Sequence, residues 1–258
     1  MEALPFFGDR REQKFDSGYA DCRIHGMLDI CYSKEAGSRR GRQRKEEFMA
    51  WGNQGYLEMM RDIFRVSEEL GIRSYVWGGF AVDILQGSFT REHGDLDCFT
   101  ENLAENRERL QQRYEALGYE VHYMEEFWLL RIEKGGLHAS FNNMRNIDGI
   151  AHWYHAGPHG TVFFPYGWLD EGPRVFYGTP VRTIGERLAY VLKTNARLLH
   201  PEWKLREKDR GDIAILEGML GEEAGEIGKR VWSHSPFWYA KGYEEYYYPV
   251  VGCEAYGG

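Results

Sequence analysis

The sequence predicts a mixed α+β fold, with a small mixed β-sheet, flanking helices and a helical C-terminal part. Three observations carry this expectation. Strand-like and helix-like runs alternate irregularly through the middle of the chain, and helical periodicity dominates after residue 183. A glycine pair, Gly78-Gly79, joins a short apolar run to a short helical pattern. Two carboxylates, Asp95 and Asp97, stand two residues apart in the next extended run, where alternate side chains share a face. The expected division is 1–54 as an N-terminal extension, partly loosely ordered, 55–182 as the core, and 183–258 as a C-terminal helical region with an aromatic tail.

The elements follow in order. Leu57, Met60, Ile63, Phe64 and Leu70 recur at helical spacing, and Gly71 stops the run. Residues 74–77 read as a short buried strand, 80–86 as a helix closed by Gly87, and 95–99 as the next strand. Leu103, Leu110, Tyr114 and Leu117 mark a second amphipathic helix that ends at Gly118. Residues 119–123 and 127–133 read as strands, and Lys134-Gly135-Gly136 as a hairpin turn into 137–142. Further strands are expected at 161–164, 175–177 and 181–182. Thr183 with Glu186 three residues on has the form of a capping box opening a helix through Ile184, Leu188, Val191 and Leu192. A last helix is expected at about 205–220.

Composition narrows the function classes. At 258 residues, 43% of them hydrophobic and 15% aromatic, the chain can bury a sizeable core and is not wholesale disordered. No apolar run reaches the ~18 residues of a membrane span, and the first thirty residues lack a secretory apolar segment. Cys22, Cys31, Cys98 and Cys253 show no paired spacing, so reduced thiols and a cytoplasmic location are expected. A net charge of −8 argues against a general nucleic-acid surface and suits a cationic small acceptor. Basic residues cluster at 34–45 (Lys34, Arg39, Arg40, Arg42, Arg44, Lys45), read as a solvated linker or, alternatively, as an anion or RNA contact.

The chemistry concentrates between residues 76 and 97. Glycines opening a helix offer bare backbone N–H groups to phosphate, and a side chain there would block close approach. Asp95 and Asp97 on one strand face supply oxygen ligands for Mg²⁺, with Mn²⁺ as an alternative; one or two carboxylates plus phosphate oxygens complete such a site. A phosphate cradle and a metal pair separated by one helix are what nucleotidyl transfer requires. Arg91 is a candidate phosphate clamp and His93 a candidate nucleotide contact or loop support. The structural alternatives are an ordinary strand-to-helix turn, two surface aspartates, and packing roles for Asp83, Arg91 and His93.

The same residues resemble the lincosamide and aminoglycoside-2''-type antibiotic nucleotidyltransferases, within the polymerase-β-like superfamily. The subgroup pattern W-G-G-x-x-V-D-x-x-x-G-x-x-T-R-x-H-x-D-x-D is matched at Gly78, Gly79, Val82, Asp83, Gly87, Thr90, Arg91, His93, Asp95 and Asp97. More loosely, the likeness runs from about residue 56 to 217. It implies a metal-dependent enzyme moving a nucleoside monophosphate, AMP from ATP or its counterpart from another triphosphate, to a hydroxyl of a small acceptor. A lincosamide or aminoglycoside is the acceptor class the family suggests. Lys193 and Lys208-Asp209-Arg210-Gly211-Asp212 resemble the Lys-Asp-x-x-Asp stretch of these enzymes, which places Lys193 among the nucleotide-binding candidates. The alternative is a solvated helix face with a Lys208–Asp212 pair.

One departure stands out. Aligned on the hairpin glycines, His138 falls where the family carries a third carboxylate, used for metal support or as a base toward the acceptor. An imidazole can accept that proton but is a poor Mg²⁺ ligand. His138 is therefore taken as the third catalytic candidate, with Glu133 or Asp148 as carboxylates able to substitute in space. The competing functions are a toxin-type nucleotidyltransferase acting on RNA or protein, and a nucleotide-binding protein that has lost turnover. The aromatic segments 152–155 and 243–248 are read as packing or as an acceptor wall, and His152, His155 and His159 lack a defined zinc spacing. Acceptor identity, preferred base and oligomeric state stay open.

Overall fold

A computed structural model describes residues 53–154, 161–169, 172–195, 204–227 and 234–235. The basic 34–45 segment, Cys22, Cys31, Cys253, His155, His159 and the 243–248 aromatics lie outside the described residues. Helix α1 (Gln54–Leu70) buries Leu57, Met60, Ile63 and Val66, one side of its periodic pattern, and ends in left-handed Gly71. Strand β1 (Ser74–Trp77) leads through Gly78 into α2 (Gly79–Gln86), which left-handed Gly87 closes. Strand β2 (Leu96–Glu101) and helix α3 (Leu103–Ala116) follow. Next come β3 (Glu120–Met124), β4 (Leu129–Lys134), β5 (Leu137–Ile147), β6 (Ile150–Tyr154) and β7 (Thr161–Pro165). A small hairpin, β8 (Arg174–Phe176) with β9 (Thr179–Val181), precedes α4 (Glu186–Thr194), α5 (Glu207–Leu220) and α6 (Glu222–Ile227), and β10 (His234–Ser235) ends the described chain.

The main sheet is mixed, and β5 is its spine. β2 runs antiparallel to β1 and parallel to β5. The first half of β5 pairs with β4, its last residues pair with β6 across the Asp148-Gly149 turn, and β7 and β10 continue outward. Alternation along the strands sorts side chains into two cores. Leu96, Cys98, Leu130, Ile132, Ala139 and Phe141 pack with α1 and α3, while Phe99, Met144 and Trp153 pack with α4 and α5. The expected mixed α+β class is what forms.

Several boundaries differ from expectation, each for a physical reason. Asp95 stands just before β2 rather than within it. Strand β5 runs on to Ile147, and the expected aromatic segment at 152–154 is the pairing strand β6, because the Asp148-Gly149 turn supplies two left-handed residues for a tight hairpin. Thr183 does not cap α4. Its hydroxyl donates to the Val76 carbonyl at 2.9 Å, while Val76 N–H donates to Arg182 O at 2.9 Å and Ile184 N–H donates to Val76 O at 3.1 Å. The 182–184 segment thus joins the free edge of β1, and tertiary pairing overrides the local cap. Among the described residues no helix is long and apolar enough to cross a membrane.

Candidate active site

The chain after β1 turns sharply because two glycines allow it, for different reasons. Gly78 adopts φ 76°, ψ −141°, a conformation nearly reserved for glycine. A Cβ there would also sit 3.0 Å from Asp97 Oδ2. At Gly79 the obstacle is steric: a Cβ would collide with the Arg91 guanidinium and come within 2.9 Å of the His93 ring. The space over Gly79 is thus filled by the loop that follows α2.

That loop is anchored from below. Asp83, fully buried on α2, accepts from Thr90 N–H at 3.1 Å, from Thr90 Oγ1 at 2.5 Å and from His93 Nε2 at 2.6 Å. Arg91 Nη1 lies 2.9 Å from His93 Nδ1; a guanidinium only donates, so Nδ1 accepts and the ring proton is on Nε2. The imidazole stacks on Phe80 at 3.9 Å. Buried Asn53 ties the loop to the start of α1, donating to Arg91 O at 3.0 Å and accepting from His93 N–H at 3.1 Å. His93 therefore lies beneath the glycine turn rather than among the residues lining the cavity, and Arg91 reaches past it.

The aspartates meet the turn from β2. Asp97 stands in register between Trp77 of β1 and Ser140 of β5, and Ser140 Oγ donates to its Oδ1 at 2.6 Å. Burial, reinforced by the neighbouring Asp95 charge, pushes the Asp97 carboxyl up to about 6, against the opposing pull of Ser140, Lys193 and Lys208. Two carboxylates that burden each other in this way are relieved by a divalent cation, and their hard oxygens suit Mg²⁺. Among the described residues no cluster of three or more His, Cys, Asp or Glu forms, so phosphate oxygens or water would complete the shell.

Asp95, Asp97, Gly78 and Gly79 line one cavity of about 390 Å³ that also has a basic wall, made by Arg91, Lys193, Arg206 and Lys208. Two buried acids on α5 fix that wall. Asp212 pairs with Lys193 of α4 at 2.7 Å and with Arg91 at 3.4 Å. Asp209 takes Arg206 through both Nε (2.7 Å) and Nη2 (3.0 Å), and these contacts hold its carboxyl below the usual range although burial opposes them. Burial, with Arg206 and Arg91 close by, lowers the Lys208 ammonium, the mark of cations gathered where an anion would relieve them. The solvated Lys208–Asp212 pair expected as the alternative does not form, since Asp209 and Asp212 are buried beneath the cations. Trp77, Ile184, Ala189 and Leu192 complete an apolar end of the cavity.

His138 lies on β5, half-buried, one step before the Leu96–Ala139 register pair and on the same face as Ser140 and Asp97. Strand β5 carries no carboxylate, so the family's third acid has no counterpart there. Glu133 of β4 is the register partner of His138 and shares its face, whereas Asp148 sits in the distant hairpin turn. Ser140, Arg206 and Asn53 escaped the sequence reading. Alternation from His138 would have flagged Ser140, and the three-residue spacing to Asp209 would have flagged Arg206; nothing local marks Asn53.

Comparison with known proteins agrees with this geometry. The family model for aminoglycoside-2''-adenylyltransferase matches residues 59–216. A lincosamide resistance protein of Staphylococcus haemolyticus is 27% identical over 160 residues, covering 61% of this chain and 91% of the relative. The solution structure of the antibiotic-resistance factor ANT(2'')-Ia superposes with a TM-score of 0.55 at 20% identity, over 69% of this chain and 90% of that one. A crystal structure of ANT(2'')-Ia with adenylyl-2''-tobramycin gives a TM-score of 0.54 at 20% identity, over 68% and 95%. At that identity the two structures speak to the fold.

Proposed function

The chain belongs to the aminoglycoside-2''-adenylyltransferase family and is a nucleotidyltransferase, and from that premise we propose that it moves AMP from ATP, with Mg²⁺, to a hydroxyl of a small antibiotic-like acceptor in the cytoplasm. The observation that carries this reading is a single cavity lined by the Asp95 and Asp97 carboxylates, a glycine turn and four basic side chains. Asp95 and Asp97 would hold the metal. Bound there, Mg²⁺ (or Mn²⁺) would supply charge neutralisation at the phosphate oxygens. The N–H groups at Gly78-Gly79 receive the triphosphate, and Lys193, Lys208, Arg206 and Arg91 balance its charge. The apolar end at Trp77, Ile184 and Leu192 accepts the base. His93 keeps Arg91 and the turn in place.

In the reaction the acceptor oxygen bonds to the α-phosphorus while the bond from that phosphorus to the β-bridging oxygen breaks. Pyrophosphate leaves, and the hydroxyl proton passes to the His138 imidazole. The lincosamide named for one relative and the tobramycin named with another supply the acceptor classes to try. The test is pyrophosphate release and mass gain of lincomycin or tobramycin with purified protein, Mg²⁺ and each of four triphosphates. No metal-dependent release with any pairing would overturn the reading.

A second reading has one observation behind it: a β5 without a carboxylate suits a protein that binds the triphosphate without turning it over. Mg·ATP binding with no pyrophosphate release from any acceptor would select it.

A further inference from the structure

Beyond β2, the sheet face that carries Asp97 continues as a polar platform. Register runs one row straight outward from Asp97 through Ser140, Arg131 and His122. Beside it lies a second row of His138, Glu133 and Glu120. The opposite faces of these strands are apolar, with Leu130, Ile132, Ala139 and Phe141 buried in the core that contains α1 and α3. On the platform side Arg131 is 40% exposed, Glu133 38% and His122 49%. An acceptor whose hydroxyl attacks a phosphorus held between Asp97 and the glycine turn has this surface to lie on, beside the part of the same face that α4 and α5 cover.

The carboxylate nearest the attack site is already matched by a cation. Glu133 Oε1 lies 2.7 Å from Arg131 Nε, and Glu120 Oε1 lies 3.0 Å from His122 Nε2. The cation nearest Asp97 along the row is Arg131, immediately beyond Ser140. A polyammonium acceptor needs a free carboxylate beside the attack site and would meet Arg131 instead, whose charge Glu133 and solvent screen in part, so the discrimination expected is about tenfold. A sugar-like ring needs alternating donors and acceptors, which Ser140, His138, Arg131 and Glu133 offer. We infer that the β5–β4–β3 face binds a hydroxylated ring acceptor carrying at most one positive charge, with Arg131 as the residue that excludes polycations. This rests on the transfer reading above and chooses within it.

The experiment uses the full chain and two probes: lincomycin, which carries one basic amine, and tobramycin, which carries several. Mg·ATP titration reads the transfer site. Direct antibiotic titration and kcat/KM read the platform. Wild-type protein is expected to favour lincomycin over tobramycin by at least about tenfold, and Arg131→Glu to raise tobramycin selectivity roughly tenfold with Mg·ATP affinity unchanged. Glu133→Gln, which leaves Arg131 unmatched, should move selectivity the opposite way, and added salt should shrink both shifts. A wild-type preference for tobramycin overturns the inference, as does an unchanged antibiotic ratio in both variants when Mg·ATP binds normally. If Mg·ATP fails to bind while direct titration still shows the expected antibiotic ratios, the transfer reading falls and the platform stands.

Discussion

On the glycine-turn side of Asp97, fixed contacts converge on a few buried groups: Asp83 accepts from Thr90 and His93, Asn53 clamps the loop, and Asp212 holds Arg91 and Lys193. On the strand side, one hydrogen bond from Ser140 reaches Asp97, and beyond it Arg131, Glu133 and His122 are half open to solvent. The first region is closely tied by its own contacts and, on the proposed reading, receives one kind of ligand, a polyanion. The second is a shallow surface whose identity rests on which charges are paired. Across a family that keeps one co-substrate and changes the other, rigidity belongs on the shared side and adaptability on the variable one.

That contrast can be broken by mutation. The largest effect expected is from Asp95→Ala or Asp97→Ala: loss of transfer by about a thousandfold or more, with the fold retained. Pyrophosphate release together with circular dichroism checks it, and near-wild-type rates in either variant would remove the metal assignment. Next, Asp83→Ala should cost about 1–3 kcal/mol of stability for each buried donor it strands, His93 Nε2 and the Thr90 hydroxyl first. Urea denaturation measures this; a loss no greater than that of a surface substitution would mean that the turn side is not rigid.

His138→Ala is expected to slow transfer by about a hundredfold while leaving Mg·ATP affinity within roughly threefold. His138→Asp should raise Mg²⁺ affinity by adding a hard oxygen ligand. If neither substitution changes rate or metal affinity, His138 is only a packing residue. The smallest effect concerns the metal-free protein and pH. The Asp97 carboxyl sits at about 6 when folded against an ordinary 3.8, so the native state binds the proton more tightly and stability falls as pH rises from about 4 to 6. Asp97→Asn removes this cost. It should stabilise the apo protein by at most about 2–3 kcal/mol at pH 7 and by nothing below pH 4. Thermal melts across that range in chelator decide it; equal gains at both ends would rule out the carboxylate as the cause.

The turn side was legible in the sequence because Gly78, Gly79, Asp83, Arg91, Asp95 and Asp97 fall within one contiguous strand–turn–helix–strand unit. Local spacing there is nearly spatial position. Lys193 and the Asp209–Asp212 stretch were readable only through family likeness, and their burial was not, since Asp212 finds Arg91 from 121 residues away. The strand side was harder still. Ser140 joins Asp97, and Arg131 joins Ser140, only through register, which no single strand encodes. Thr183 was misread because its hydroxyl had two available partners, a local cap and the Val76 carbonyl, and only the folded sheet decides between them.

The long reach from Arg91 to Asp212 also has a consequence for biosynthesis. The ribosome releases the glycine turn, the loop and both aspartates well before α5, so a nascent chain can form β1, α2 and β2 while Arg91 and Lys193 still lack their shared anchor. Translation halted between residues 97 and 212 yields a chain that holds both aspartates but not the acid that anchors Arg91 and Lys193. The order of the residues thus withholds the proposed triphosphate site until α4 and α5 have been made.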